Sequence, residues 1–276
     1  MGTDSTSRRR FLTLSAAAGA AAAATVARSS GATTGTSFGA RAETVCVLGA
    51  SGMVGNAIVH ELLAGGYRVV AVSRDMNKLA TIRESYRNAG AIETLQGDVS
   101  SDEMVQKLRS DLVAKFGTPH AVVASLSSRD ADGPRRILDT PTDTLRRAFE
   151  TNFFSHVAAA RGLIPALAAA GVYVGINGGL ADFAGAGMGQ LSITQSALRT
   201  LYEVLAQEGG KPQAGGRQVS VRVLGLYGLV DTGKATPDPQ GRLISGHTIG
   251  QRVSVIIRQP ESFPGPVLSL KAKAYS

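Results

Sequence analysis

A short apolar run followed by a glycine-rich turn decides the fold: residues 44–55 read TVCVLGASGMVG. The β-branched run predicts a buried strand, and the helical spacing of apolar residues after it predicts that a helix follows directly. Glycines between the two let the backbone turn tightly and approach a ligand, while the free N–H groups at the start of the helix favour a negative charge. Strand, glycine turn and helix in this order predict a site for the pyrophosphate of a dinucleotide. The residues expected to contact it are Gly49, Ser51, Gly52, Met53, Val54 and Gly55.

The end of the second predicted strand indicates which dinucleotide is bound. A protein specific for NAD usually carries an acidic residue there, which binds the ribose 2′-hydroxyl. This chain instead has the small Ser73 followed by Arg74, whose forked guanidinium suits a 2′-phosphate. We therefore expect NADP as the cofactor, with NAD the less favoured choice. The alternative is that Arg74 is a solvated surface residue paired with the neighbouring Asp75.

The remaining chain alternates short β-branched runs with longer segments of helical period, which is typical of a parallel sheet covered by helices on both faces. We predict a single doubly wound α/β (Rossmann) domain over residues 43–276, without a second domain or a repeat. The seven predicted strands are 44–48, 68–72, 91–96, 121–125, 172–177, 219–226 and 266–270. The predicted helices are 54–64, 76–89, 101–115, 142–170 and 191–208. Residues 231–262 predict a loop and short-helix flap over the carboxyl edge of the sheet.

Further motifs resemble those of the short-chain dehydrogenase/reductase superfamily, and the resemblance covers nearly all of residues 44–270. Residues 97–99 (Gly-Asp-Val) are similar to the family's adenine-contacting motif, and residues 228–232 (GLVDT) are similar to the loop that holds the nicotinamide end. The helix that ends at Asn152 resembles the one that carries the family's structural and proton-relay asparagine. The glycine spacing is nearer to the extended and atypical branches, whereas Asn152 and the chain length are nearer to the simple branch. The resemblance implies cofactor contacts from Asp98, Val99, Ala124, Gly228 and Val230, and a catalytic role for Asn152.

The chemical centre departs from the family pattern. The family's Tyr-x-x-x-Lys motif aligns so that Leu191 replaces the tyrosine and Gln195 replaces the lysine. The catalytic serine falls on Gly178 or Gly179, and the family's Asn-Asn-Ala-Gly becomes Ala-Ser-Leu-Ser at residues 124–127. The resemblance therefore implies dinucleotide binding together with a non-standard active site.

Reduction of a carbonyl group needs a proton on the oxygen as hydride reaches the carbon, and a leucine cannot supply it. Tyr227 stands where the family usually has proline, so we name it as a candidate catalytic residue beside Asn152. The alternative is that Tyr227 is a packed aromatic residue. Other titratable or hydroxyl side chains expected near the pocket are Asp182, His156, His247, Ser192 and Ser125.

Composition argues against several other classes of protein. The only cysteine, Cys46, lies within an apolar run, so an intrachain disulfide is excluded and a buried thiol is expected. The sequence has neither a cysteine/histidine cluster for a metal nor the Gly-x-Ser-x-Gly motif of hydrolases. Five arginines and one aspartate fall within residues 1–42, so the formal charge of +8 falls to +4 for the rest of the chain. With no dense basic stripe left, we do not expect nucleic-acid binding.

The N-terminus predicts an export signal. Residues 7–12 (SRRRFL) precede a weakly apolar, alanine-rich run over residues 13–27, and this pattern resembles a twin-arginine signal peptide. Small residues allow cleavage after Ala27 or after Ala42, and the second site would leave Glu43 directly before the first strand. The resemblance implies a folded, exported protein, with the twin-arginine translocation machinery as a partner and residues 1–42 as signal and linker. The alternative is a disordered alanine-rich tail. No stable membrane span is expected.

Three functions remain open at this point. The first is an NADP-dependent oxidoreductase that acts on a small-molecule substrate. The second is a catalytically silent NADP-binding sensor or structural protein. The third is a redox-neutral enzyme such as an epimerase, which would retain its cofactor. The alanine-rich faces of the predicted helices 142–170 and 191–208 allow close packing, so a homo-oligomer is also an expectation.

Overall fold

The computed structural model describes residues 43–127, 133–209, 218–231 and 238–276; the predicted signal and linker, residues 1–42, lie outside these ranges. Within the described residues, seven strands form one parallel sheet. They are β1 (Thr44–Leu48), β2 (Arg68–Ser73), β3 (Ile92–Gln96), β4 (Ala121–Ala124), β5 (Val172–Gly178), β6 (Ser220–Tyr227) and β9 (Val267–Lys271). A small parallel pair, β7 (Leu229–Val230) and β8 (Leu243–Ile244), follows β6.

The order of the strands places the predicted site. The sheet runs β3-β2-β1-β4-β5-β6-β9, so the chain moves outward in one direction from β1 to β3 and then crosses back to β4. The strand order reverses between β1 and β4, and ligands of open parallel sheets bind at the carboxyl ends of the strands beside such a reversal. The predicted α/β class and doubly wound sheet are confirmed.

Helices cover both faces of the sheet. They are α1 (Met53–Ala64), α2 (Met76–Ser85), α3 (Asp102–Phe116), α4 (Thr142–Phe149), α5 (Ser155–Leu163), α6 (Gly189–Gly209) and α7 (Gly246–Arg258). Buried apolar side chains of α1, α2 and α7 form one hydrophobic cluster with the sheet, and those of α3, α5 and α6 form a second cluster on the opposite face. Alternate residues along the buried strands supply the two clusters, because successive side chains of a strand point to opposite faces.

Side-chain caps define the start of three helices. Asp75 accepts hydrogen bonds from the backbone N–H groups of two residues at the start of α2. Ser101 and Ser245 accept the same kind of bond at the starts of α3 and α7. These bonds satisfy N–H groups that have no partner within the helix, and each stabilises the helix by about 1 kcal/mol.

The predicted strands match the observed ones closely. The first has the predicted bounds, and each of the other six differs by one residue at one or both ends. Buried β-branched residues dominate these strands, so their period and length were both clear in the sequence.

The predicted continuous helix over residues 142–170 is wrong. After α4 the chain makes a π-helical turn, Glu150–Phe154, before α5 begins, and α5 is followed by the 3₁₀ turn Ile164–Ala166. The proline at position 165 has no N–H group to continue the helix. The π-helical turn carries Asn152, and such turns occur frequently at functional sites.

The predicted flap over residues 231–262 is also wrong for its second half. This half forms the 13-residue helix α7, which buries Ile249, Val253 and Ile256 against the sheet. Glycines within this segment favour a loop in a prediction from sequence. In the structure they allow α7 to pack closely against α1, since a β-carbon on Gly250 would lie 2.4 Å from Cγ of Glu61. Residues 232–237 of the predicted flap lie outside the described residues.

None of the described helices is both long enough and apolar enough to cross a bilayer.

Candidate functional site

The glycine turn after β1 forms a closely packed cradle. Gly49 has a φ of +70°, and a β-carbon there would lie 2.2 Å from the backbone oxygen of Ser125, which follows β4. A β-carbon on Gly55 would lie 2.2 Å from the backbone oxygen of Gly49. Gly52 is the N-cap of α1 and has no side chain to bond the first N–H groups of the helix. The cradle thus presents uncapped N–H groups at the carboxyl edge of the sheet, as a bound pyrophosphate requires.

The end of β2 lies beside this cradle. The hydroxyl groups of Ser51 and Ser73 are 2.9 Å apart, and the hydroxyl oxygen of Ser73 also accepts a bond from the backbone N–H of Asp75. Arg74 is exposed. The carboxylate of Asp75 caps α2 and lies 3.9 Å from Lys78, and no described carboxylate pairs with the guanidinium of Arg74. The pairing of Arg74 with Asp75 that was the alternative in the sequence is therefore not observed.

The expected adenine-contacting residues lie next along the same edge. The backbone N–H of Gly97 donates to the backbone oxygen of Ser73, which links the ends of β3 and β2. The carboxylate of Asp98 accepts a bond of 2.9 Å from the N–H of Ser100, and Val99 is buried. Ala124 is the last residue of β4 and pairs in register with Leu48 of β1. The structure thus brings together residues from the ends of β1 to β4.

The remaining expected cofactor contacts lie at two places. Met53 is exposed in the first turn of α1, where Val54 packs against the core. Gly228 follows β6, and a β-carbon there would lie 2.7 Å from Cβ of Ala272. Val230 belongs to the small β7–β8 pair and matches Ile244 in register. Thr232, the last residue of the predicted nicotinamide loop, lies outside the described residues.

The position expected for the catalytic serine is covered by the side chain of Gln195, which is expected in place of the lysine. A β-carbon on Gly178 would lie 2.5 Å from Oε1 and 2.7 Å from Nε2 of Gln195. The side chain of Asn177 fixes the backbone around this contact, because its Nδ2 donates to the backbone oxygen of Gln195 and its Oδ1 accepts from the N–H of Gly178. The oxygen Oε1 of Gln195 is buried and has no hydrogen-bond partner among the described residues.

The neighbouring position is covered by a tyrosine. A β-carbon on Gly179 would lie 2.9 Å from Cδ1 of Tyr227, so the ring lies against the second of the two positions expected for the serine. The phenol hydroxyl of Tyr227 donates a hydrogen bond to Oδ2 of Asp182. Tyr227 is therefore a packed aromatic residue whose hydroxyl group is engaged by Asp182.

Sequence reasoning missed Arg199. Its guanidinium forms an ion pair with Asp182, and its Nε lies 3.3 Å from Oε1 of Glu203. Leu191, Gln195 and Arg199 are spaced by four residues on α6 and therefore lie along one side of the helix. That spacing was the signal in the sequence that would have found it.

Asn152 and Leu191, both expected at the centre, differ in their surroundings. Asn152 is buried in the π-helical turn between α4 and α5. Leu191 is half-buried near the start of α6. The adjacent Ser192 is buried, and its hydroxyl oxygen accepts a bond from the N–H of Gly185 in the preceding loop.

Two histidines that are expected near the pocket are engaged by other groups of the protein. His156 is fully buried, and its Nε2 donates a hydrogen bond of 2.8 Å to the backbone oxygen of Leu126. In this neutral tautomer Nδ1 carries no proton, so it accepts a hydrogen bond of 2.8 Å from the hydroxyl group of Tyr202. Burial lowers the pKa of His156 to about 4, so the ring is neutral at physiological pH. His247 lies on α7, where its Nδ1 is 2.8 Å from Oε1 of Glu61 on α1.

The single cysteine is buried in β1, and burial raises the pKa of its thiol to about 12. Cys46 therefore contributes packing rather than a reactive thiolate. Across the described ranges, no group of three or more histidine, cysteine, aspartate or glutamate side chains has an arrangement that suits a metal ion.

Comparison with known families agrees with this geometry. The sequence profile of the short chain dehydrogenase family matches residues 43–238. The chain belongs to this family of oxidoreductases. No curated protein matches the sequence.

Solved structures with the same fold share little sequence with the chain. A short chain oxidoreductase from Pseudomonas aeruginosa PAO1, described as containing an atypical catalytic center, is 19% identical over 84% of this chain and 96% of its own, with a TM-score of 0.71. An alcohol dehydrogenase from the archaeon Thermococcus sibiricus, complexed with 5-hydroxy-NADP, is 19% identical over 86% and 99%, with a TM-score of 0.70. A blue fluorescent protein from a metagenomic library, in complex with NADPH, is 18% identical over 85% and 98%, with a TM-score of 0.71.

Proposed function

We propose that this protein is an NADP(H)-dependent oxidoreductase whose reaction does not use the tyrosine, lysine and serine typical of its family. The observation that carries the proposal is the contact of Gln195 and Tyr227 with Gly178 and Gly179 at the carboxyl end of β5. The larger side chains of Gln195 and Tyr227 fill the space of the expected serine, so no vacant pocket is left at that position.

The described residues fit a dinucleotide. Glycines 49 and 55 pack so closely that a β-carbon on either would collide with the backbone, and Gly52 leaves the start of α1 open for phosphate. The buried, unpartnered Oε1 of Gln195 is an acceptor that a ligand hydroxyl group can satisfy. Bound nicotinamide would supply hydride transfer, while the protein would orient the ring, exclude water and handle the proton.

The preference for NADP rests on the end of β2. A serine, Ser73, occupies the position where an acidic residue would bind the ribose 2′-hydroxyl. Ser73 is buried, and its hydroxyl group is engaged by Ser51 and by the N–H of Asp75. The exposed guanidinium of Arg74 has no carboxylate partner in the described part of the chain, which leaves it available for a 2′-phosphate. The NADP-type ligands of the two structural neighbours support the same choice.

Export is a separate part of the proposal. The twin-arginine-like residues 7–12 support translocation of the folded chain, with the translocation machinery as partner, and a periplasmic or extracellular location. Such a route would let the cofactor be loaded in the cytoplasm and carried out with the protein. A tightly held cofactor is then expected, because the usual routes of NADPH regeneration are cytoplasmic.

Native mass spectrometry of the full-length protein purified from its own cells tests the proposal. We expect a bound mass that equals NADP⁺ or NADPH. The matched variant is Gly52→Asp: aspartate is a good N-cap, so α1 should still form, but its carboxylate would repel the pyrophosphate. A purified protein that carries NAD, or that neither retains nor binds NADP(H), would overturn the assignment. NADP(H) binding without turnover of any carbonyl or alcohol would favour the silent sensor instead.

A further inference from the structure

A buried histidine holds the chain at the point where it leaves the sheet beside the glycine cradle. The pairing of β4 with β5 ends at Ala124, so the backbone oxygen of Leu126 lies beyond that strand pair. His156, on α5, donates a hydrogen bond of 2.8 Å from Nε2 to this oxygen. A side chain from a distant helix therefore fixes the backbone at residue 126.

Residues 125 and 126 form one wall of the cradle. The N–H of Ser125 donates over 3.1 Å to the backbone oxygen of Leu48, at the end of β1. The backbone oxygen of Ser125 lies against Gly49, and a β-carbon on Gly49 would lie 3.7 Å from Cδ2 of Leu126. Because Gly49 begins the turn expected to contact the pyrophosphate, a shift of this wall would change the shape of the cradle.

Tyr202, on α6, determines which nitrogen of His156 carries the proton. Its hydroxyl group donates over 2.8 Å to Nδ1, so the one proton of the neutral ring is kept on Nε2, which faces Leu126. The phenol ring is fixed against β5, since a β-carbon on Gly175 would collide with it. Gly175 is the register partner of Ala124. The tyrosine is therefore fixed beside the end of β4.

The polar character of this pair is not needed for packing alone. Both His156 and Tyr202 are fully buried in the hydrophobic cluster beneath α3, α5 and α6. Burial of an imidazole ring is unfavourable unless its nitrogens are paired. An apolar side chain would fill the space without that requirement, but it would leave the oxygen of Leu126 without this donor.

We propose that His156 is a positioning residue for the dinucleotide: together with Tyr202 it holds Leu126, and thereby the wall of the cradle against Gly49. The inference rests on the proposed function, since it concerns binding of the nucleotide at that cradle. His156 acts through the backbone of Leu126 rather than by proton transfer, because both ring nitrogens are engaged within the protein.

Two substitutions of the histidine separate the donor from the bulk of the ring. His156→Leu removes the donor, whereas His156→Gln keeps one, because the amide nitrogen of glutamine is as many bonds from Cα as Nε2 of histidine. We expect His156→Leu to weaken NADP⁺ binding by about tenfold or more, and His156→Gln to retain most of the affinity. Tyr202→Phe should weaken binding less than His156→Leu, since it keeps the ring and loses only the hydroxyl group. Calorimetric titration with NADP⁺ measures these affinities.

A destabilised control separates positioning from a general loss of stability. Leu112→Ala, on α3 in the same hydrophobic cluster, leaves a cavity and destabilises the protein. Titrations are made where urea unfolding shows each variant to be folded, and Leu112→Ala should then bind NADP⁺ as the natural protein does. The proposal would be overturned by natural affinity in His156→Leu, by His156→Gln binding no better than His156→Leu, or by an equal loss in Leu112→Ala.

NMR of the natural protein with ¹⁵N-labelled histidine tests the same role without depending on a variant that folds. The Nε2–H resonance of His156, assigned by its loss in His156→Gln, should be present and should shift when NADP⁺ saturates the protein. A ring protonated on Nδ1 instead, or a resonance that NADP⁺ leaves unchanged although it binds, would overturn the positioning role. If the natural protein binds no NADP(H) at all, the proposed function fails and this role fails with it.

Discussion

The side-chain amide of Gln195 occupies the space that a side chain on Gly178 would need, with Oε1 only 2.5 Å from the place of a β-carbon. The alignment with the family puts a serine at position 178 or 179 and a lysine at position 195. In this alignment the two departures from the family pack against each other, and the absence of a side chain at position 178 makes room for the amide.

This contact predicts that the two positions are coupled in stability. Gly178→Ala should lower the free energy of unfolding by about 1–3 kcal/mol, because the methyl group displaces the amide. In a Gln195→Ala background the same change should cost little. Urea unfolding of the four proteins measures the coupling. Gly265→Ala, where a β-carbon meets no atom within 4 Å, is the control. Costs that simply add across the two positions would contradict the packing.

Arg74 should set the preference between the two dinucleotides. Loss of its charged hydrogen bonds in Arg74→Ala should weaken NADP⁺ binding by about 1.5–3 kcal/mol, which is about 10- to 150-fold, and leave NAD⁺ binding nearly unchanged. Calorimetric titration with both nucleotides measures this change. Arg83→Ala, which removes an exposed arginine of α2, is the matched control and should keep the preference. Equal affinities for both nucleotides in the natural protein would reject the role of Arg74.

His156 should make stability depend on pH in the acid range. Its pKa is about 4 in the folded protein and near 6.5 when unfolded, so between these values the unfolded chain binds a proton that the folded chain does not. The free energy of unfolding should therefore fall by about 3 kcal/mol in total as the pH drops from about 6.5 to about 4, with no contribution above that window. His156→Gln should remove this share from urea unfolding profiles, while His60→Gln, on the surface, should not. Parallel profiles for the natural protein and His156→Gln would show that the ring is not held neutral.

The sheet could be predicted because its strands are buried on both faces and rich in β-branched residues. The break in the helix around Asn152 could not, since the sequence from residue 142 to 163 has no proline or obvious stop, and tertiary packing decides the π-helical turn. The helix α7 was hidden by Gly246 and Gly250, which read as loop residues but serve close contact with α1.

The candidate site likewise combines features that could be predicted from the sequence with contacts that could not. The glycine cradle and the end of β2 are local features, so their residues could be named from the sequence. The contacts of Tyr227 with Asp182 and of Asp182 with Arg199 join residues that are 45 and 17 positions apart, and their partners emerge only from the crossing of β6, α6 and the loop after β5. A single sequence does not indicate that these three side chains are in contact.

Export should require the arginine pair. Changing Arg8 and Arg9 to lysine should trap an unprocessed precursor in the cell, because the twin-arginine pathway depends on those guanidinium groups. The mature N-terminus should be Glu43 or, less favoured, Arg28, and N-terminal sequencing of the exported protein decides between them. Arg41→Lys, beyond the motif, is the control and should be exported. Normal export of the double-lysine variant would show that residues 1–42 are not such a signal.

The natural protein should be nearly inert as a reductase of generic ketones even when it is saturated with NADPH. Leu191 cannot donate a proton, and the proton of Tyr227 is engaged by Asp182. General acid catalysis contributes about 10²- to 10⁴-fold to such reactions. NADPH oxidation with small ketones measures the rate. Brisk turnover by the natural protein would contradict the prediction, and Tyr227→Phe would then test first whether the phenol donates its proton after all.

The family's chemistry should return only when its parts are rebuilt together. Leu191→Tyr alone should do little, because without a neighbouring cation the phenol keeps a pKa near its ordinary value of about 10 and is a poor donor. Gly178→Ser alone should be hindered by the amide of Gln195, so it has to be combined with Gln195→Lys, which replaces that amide. The triple variant should gain ketone reduction of about 10²-fold or more over the natural protein, with Asn152 already in place. Gly179→Ser in place of Gly178→Ser tests the other register and meets the ring of Tyr227 instead. If the triple variants fold and bind NADPH but both stay inactive, then the pocket no longer admits a ketone in the family's orientation, or the family's tyrosine and lysine do not align with Leu191 and Gln195.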